Sequence, residues 1–181
     1  MVREGRMLIE SIYKEHGYIN RIIQLLDNKL ARLDGEKNIN YNVIRESVDY
    51  LSSVAEKIHH PKEDMIYQYY INRYGEHQGL TNLLKEHDTL SNETEEFSIA
   101  ITMILNDSIV PKEVFKSKLK AFTHRIEQHL ELEEKEIFPF LKAHLTLDDW
   151  KTLERNWSEE EDPVFGSKAD KRFLELAEKV R

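Results

Sequence analysis

The chain has 181 residues, 40% of them hydrophobic and 33% charged, which is enough for one domain with a substantial core. Its net charge of −8 gives no electrostatic reason to expect nucleic acid or an anionic membrane as a partner. The lack of cysteine excludes disulfides, thiolate zinc sites, cysteine-ligated iron–sulfur clusters and a cysteine nucleophile.

Six Gly and four Pro are few for this length and favour long helices over a strand-and-turn fold. The start, MVREGRMLIE, is charged and lacks the apolar stretch of a signal peptide. No apolar run approaches the ~20 residues that span a bilayer. A cytoplasmic location is the expectation.

In chain order, the first stripe reads Ile9, Ile12, His16, Ile19, Ile23, Leu26, Leu30 and Leu33. Steps of three and four residues mark a helix with one buried face. LDGEKN supplies a stop, near Asp34. A second stripe follows through Ile44, Val48, Leu51, Ala55, His59, Glu63, Ile66 and Tyr70, and NRYGEHQG, with Gly75 and Gly79, marks the next break. Pro61 lies inside this helix and removes the hydrogen bond to Lys57, so a kink is expected there.

The third segment repeats the first with an offset of 71: Leu80, Leu83, His87, Leu90, Thr94, Phe97, Ile101 and Ile104. The tripeptide KEH recurs at 14–16 and 85–87. After NDSIVPK a fourth stripe runs through Phe115, Leu119, Phe122, Ile126, His129, Glu133, Ile137 and Phe140. The pattern predicts an all-α fold: two duplicated helical hairpins forming an up-down-up-down four-helix bundle over 1–145. Residues 146–181 read as a short C-terminal helical extension packed on that bundle. Its last helix is expected to be capped by Ser167, with Asp170 in the first turn.

HHPKEDMIY and HLELEEKEIF each carry a histidine, a glutamate four residues on, and then a second acidic residue. Side chains at i and i+4 stack on one helix face, here the buried stripe. His16 and His87 hold the matching stripe positions in the first helix of each hairpin. Counted from the turns near Asp34, Asn40, Asp107 and Pro111, each of the four histidines lies roughly 27–30 Å along its helix. His16, His59, Glu63, His87, His129 and Glu133 therefore meet at one level of the bundle.

Burying four imidazoles and two carboxylates is costly unless they are satisfied. Six such donors suit a pair of metal ions, with Glu63 and Glu133 bridging and room left for an oxo or hydroxo bridge and an open position. Imidazole and carboxylate without thiolate fit iron well, and manganese and zinc fit the same set. His60 competes with His59, but its counterpart in the second copy is Leu130, so it is read as supporting or surface-facing. His77 and His124 read as surface or loop residues, and His144 as a capping or solvent-facing one. Tyr67 and Phe138 read as core packing.

The EH pairs, HHPKED and HLELEEKEIFPF resemble the hemerythrin-like, or HHE, family of cation-binding domains over about residues 7–145. The resemblance implies a non-haem di-iron centre in a four-helix bundle, ligated by His16, His59, Glu63, His87, His129 and Glu133. The oxygen-carrying hemerythrins are less similar, since they use five histidines. The four-His, two-Glu set is similar to proteins implicated in repairing iron–sulfur centres under nitric oxide or oxidative stress, although the cysteine-bearing N-terminal segment of those proteins is lacking here. The leading expectation is a di-metal protein that binds or senses O2, NO or peroxide. Its rivals are a stress-defence enzyme at the same site and a metal-pinned helical scaffold whose tail docks a partner.

Overall fold

The computed structural model describes residues 4–32, 40–106, 111–157 and 161–181. Among them the secondary structure is entirely helical, and no helix is long and apolar enough to cross a membrane. α1 covers Glu4–Arg32 and α2 Tyr41–Tyr50; a π-helical stretch, Leu51–His59, joins α2 to α3, His60–Tyr74. α4 spans Gln78–Leu105 and α5 Lys112–Leu132, and a second π turn, Glu133–Ile137, leads into α6, Phe138–His144. α7, Leu147–Glu154, and α8, Leu174–Val180, belong to the tail. The stops expected near Asp34 and Asp107 lie outside the described residues.

The helix starts follow their local chemistry. Asn40 caps α2, its side chain accepting from the amides of Asn42 and Val43 at 3.0 and 3.3 Å. His77 caps α4, accepting from the Leu80 amide. Gly75 ends α3 with φ of 100°, a conformation that side chains rarely adopt. Gly79, expected to share that break, already lies within α4.

At Pro61, where a kink was expected, and at Pro139 the helix changes its winding. A proline ring clashes with the carbonyl four residues back and cannot donate to it. The chain widens into a π turn instead, so that the residue before the proline donates five residues back. His60 bonds the Ala55 carbonyl before Pro61, and Phe138 bonds the Glu133 carbonyl before Pro139. Such widened turns recur at functional sites.

Stripe residues form two apolar cores separated by one polar layer. Ile19, Ile23, Leu26, Val48, Leu90, Phe97, Leu119 and Phe122 pack on one side. Leu8, Ile9, Ile12, Ile66, Leu80, Leu83, Ile137 and Phe138 pack on the other. α1 packs against α5, and α2 and α3 against α4.

The tail contributes to both cores. Trp150 and Leu153 join the second, and Val164, Phe173, Leu176 and Ala177 join the first. Asp149 anchors α7 by accepting from the Tyr69 and Tyr74 hydroxyls and from the Thr146 amide and hydroxyl. Although burial opposes it, these donors hold the Asp149 carboxyl well below its ordinary range. At the far end Asp170, not Ser167, caps a 3₁₀ turn at Lys171–Phe173 that runs into α8. Ser167 stays outside the helix and lies within a turn closed by the Asp170 amide on the Pro163 carbonyl.

Candidate metal centre

α1 brings His16 into the polar layer, α4 brings His87, and α5 brings His129. His59 ends the first π stretch and Glu63 follows in α3, while Glu133 opens the second π turn. All six expected residues are buried, none more than 4% exposed. The arrangement therefore brings together every residue of the predicted set.

Their inner atoms converge. Glu63 Oε1 lies 3.2 Å from His16 Nε2 and 3.4 Å from His59 Nε2, while its Oε2 faces His87 Nε2 at 3.6 Å. Glu133 Oε2 lies 3.3 Å from His129 Nε2 and 3.5 Å from His16 Nε2, and its Oε1 lies 3.5 Å from His87 Nε2. His87 Nε2 and His129 Nε2 approach to 3.1 Å. His59 Nε2, Glu63 Oε2 and Glu133 Oε2 are buried without a hydrogen-bond partner. Two sets of potential donor atoms each lie within 4.8 Å of one another: one from His16, His59 and Glu63, the other from His60, Glu63, His87 and His129.

Each outer nitrogen faces a carboxylate. His16 Nδ1 meets Glu134 at 2.9 Å, His59 Nδ1 meets Glu15 at 2.8 Å, and His87 Nδ1 meets Asp64 at 2.6 Å. His129 Nδ1 faces Glu86 at the longer distance of 3.7 Å. A carboxylate on Nδ1 fixes the ring's orientation and makes Nε2 the better donor. Lys62 Nζ in turn donates to Glu15 at 2.6 Å, and Arg125 pairs with Glu86 at 3.6 Å. Glu15 and Lys62 also floor a surface groove of about 830 Å³, walled by Tyr18 and Phe165, where this outer layer reaches solvent.

The charges are sorted accordingly. Burial opposes a proton on His16, yet the bonds to Glu134 and Glu63 outweigh it and raise its pKa to about 10. His87 is likewise pushed up to about 10 against its burial, by Asp64 and Glu133. Burial and its histidine neighbours drive His59 well below the ordinary value. Burial would raise Glu133, but His129, His87 and His16 bring it down to about 2.

Two participants were not expected. The Tyr67 hydroxyl, fully buried, donates to Glu133 Oε1 at 2.7 Å, so this ring does more than pack. His60 is only 6% exposed and belongs to the second group of ligand atoms, which corrects its surface-facing alternative. The π stretch before Pro61 is the reason: at about 100° per residue His60 would turn away from the stripe, whereas a wider turn keeps neighbours closer in direction. The proline one residue on was the signal. His77 is partly buried, stacked at 4.2 Å on Phe140; His124 is exposed. His144 is exposed, with its Nδ1 2.8 Å from the Phe140 carbonyl.

The donor set fits a cation. An unspent inner nitrogen on His59 and unspent oxygens on Glu63 and Glu133 in a dry layer, with His16, His59 and His87 each oriented from behind by a carboxylate, are what imidazole–carboxylate metal ligation requires. A family model for the hemerythrin HHE cation-binding domain matches residues 7–141. No curated protein matches the chain.

Proposed function

The chain belongs to the hemerythrin HHE cation-binding domain family, and from this we propose that His16, His59, Glu63, His87, His129 and Glu133 hold two metal ions, most readily iron. We further propose that this centre binds O2, NO or peroxide, within a bundle of up-down-up-down connectivity. The observation that carries the reading is the shared carboxylate: Glu63 turns one oxygen toward His16 and His59 and the other toward His87. Once bound, the metal pair supplies open coordination positions and redox capacity that no side chain here offers.

The protein's own residues do the rest. Glu15, Asp64 and Glu134 accept from the outer N–H groups of His59, His87 and His16, so that each inner nitrogen would present its lone pair once a metal displaces the proton that His16 and His87 carry in its absence. Tyr67 donates its hydroxyl to Glu133 Oε1 and fixes that carboxylate. The apolar cores on either side, with Phe138 5.4 Å from the His16 ring, exclude water.

The test is metal content per chain by mass spectrometry after anaerobic iron loading and desalting, for wild type beside Glu63→Ala. Two irons per wild-type chain and fewer in the variant are expected. Stopped-flow spectra of the reduced, loaded protein should then change on mixing with O2, NO or peroxide. Spectra indifferent to all three would leave a metal-pinned scaffold and defeat the gas-binding reading.

A further inference from the structure

The two hairpins are not equivalent around the centre. His60 and Glu56 form a part-buried i, i+4 pair in the first, with Nδ1 of His60 3.2 Å from Glu56 Oε2 and the Thr94 hydroxyl donating to Glu56 Oε1 at 3.3 Å. At the offset of 70 the second hairpin has Ile126 and Leu130, both buried in the first core. A polar pair thus stands where the duplicate carries plain apolar packing.

We propose that His60 is a fifth histidine donor, belonging to the position defined by His87 and His129, so that the two metal positions differ in strength and fill in order. The inference rests on the metal reading above. Three observations support it. One ligand atom of His60 lies within 4.8 Å of those of Glu63, His87 and His129, whereas the other group contains only His16, His59 and Glu63. His60 also has the carboxylate on Nδ1 that orients His16, His59 and His87, leaving Nε2 as the free donor. And the ring sits against both neighbours, stacked on His87 at 4.1 Å and edge-on to His129 at 5.4 Å.

A packing spacer is the competing explanation, and the duplicate argues against it. Leu130 holds the matching sequence position with no polar partner, so packing alone calls for neither an imidazole nor the Glu56–Thr94 arrangement behind it. Parallel rings 5° apart direct their in-plane lone pairs side by side, so ligation requires the His60 ring to turn out of the stack. Rotation about its terminal torsion, which is broad for histidine, accomplishes this without moving the helix.

The experiment is an anaerobic titration of the full chain with cobalt(II), followed by optical absorption, for wild type, His60→Leu and the double variant Glu56→Ile/His60→Leu. The double variant copies the second hairpin and avoids leaving the half-buried Glu56 without its partner. Wild type should take two ions in two resolved steps. Both variants should still take two, with the first step weakened by about 10–100-fold, at least the loss that follows removal of an outer-layer partner. Two unresolved steps of equal strength in wild type, or resolved steps unchanged in both variants, would overturn the proposal. Uptake of no cobalt by any of the three proteins would defeat the metal reading itself, and this inference with it.

Discussion

Replacing Tyr67 by phenylalanine removes one hydroxyl from the centre and leaves the ring in place. That hydroxyl donates at 2.7 Å to Glu133 Oε1, with both residues fully buried. Burial and the charges of Glu133 and Glu63 push the phenol well above its ordinary pKa, so it remains a donor at any physiological pH. Without it, the nearest group to Glu133 Oε1 is His87 Nε2 at 3.5 Å, too far to replace a short bond. A hydrogen bond to a charged group contributes about 1.5–3 kcal/mol, and no cavity term is added because the ring is retained. For a chain of this size each kcal/mol moves the Tm by about 2–4 °C, so the metal-free variant should melt about 3–12 °C lower. With metal bound, the Glu133 charge has a second source of compensation and the loss should shrink. Calorimetry in chelator and after metal loading measures both. An unchanged metal-free Tm, or a larger drop in the loaded form, would refute the assignment of Tyr67 to the carboxylate.

Three further outcomes are expected. In chelator, His16 and His87 have folded pKa values of about 10, above the ordinary 6.5, so the stability they confer is complete below pH 6.5 and is lost as pH rises through 10. His59 acts in the opposite sense, since its depressed pKa makes stability fall as pH drops below 6.5; a Tm that stays flat from pH 5 to 10 would contradict this sorting of charge. Glu15→Gln should weaken metal binding by about 10–100-fold by slackening His59, read by competition with a chelator of known affinity. Phe173→Ala should cost about 3–5 kcal/mol in urea unfolding, although Phe173 lies outside the family match, because its ring is 1% exposed against the Tyr50 side of the core; a cost near zero would mean the tail only drapes over the bundle.

Periodicity located the six inner residues because each occupies a stripe position, and burial on a helix depends on little besides spacing. It failed at His60, where spacing itself changes: the π stretch before Pro61 departs from 3.6 residues per turn. The second hairpin misled in the same way, since its π turn begins at Glu133, later than the residue matching His60, so the two copies share their buried histidine and glutamate positions but not helical phase. Tyr67 was legible only as an aromatic on the apolar face, because its function lies in a hydroxyl whose partner is on another helix. That the tail packs on the bundle was expected from the sequence, but which of its residues enter the first core was not legible, because Val164, Phe173 and Leu176 follow no long repeat.

The second acidic residue of each His-x-x-x-Glu motif now has a physical reason. Asp64, next to Glu63, supports His87 of the other hairpin, and Glu134, next to Glu133, supports His16 across the bundle. The glutamates of the two KEH tripeptides stay within their own hairpins, Glu15 behind His59 and Glu86 behind His129. One acidic position of each hairpin therefore faces a histidine of its own hairpin, and the other braces a histidine of its neighbour. A slip of one helical turn between the hairpins would keep the first kind and break the second, leaving His16 and His87 buried without the carboxylates that hold their outer protons. Metal-site geometry and hairpin register are thus set by the same four carboxylates, and a hairpin expressed alone would have only half of them in place.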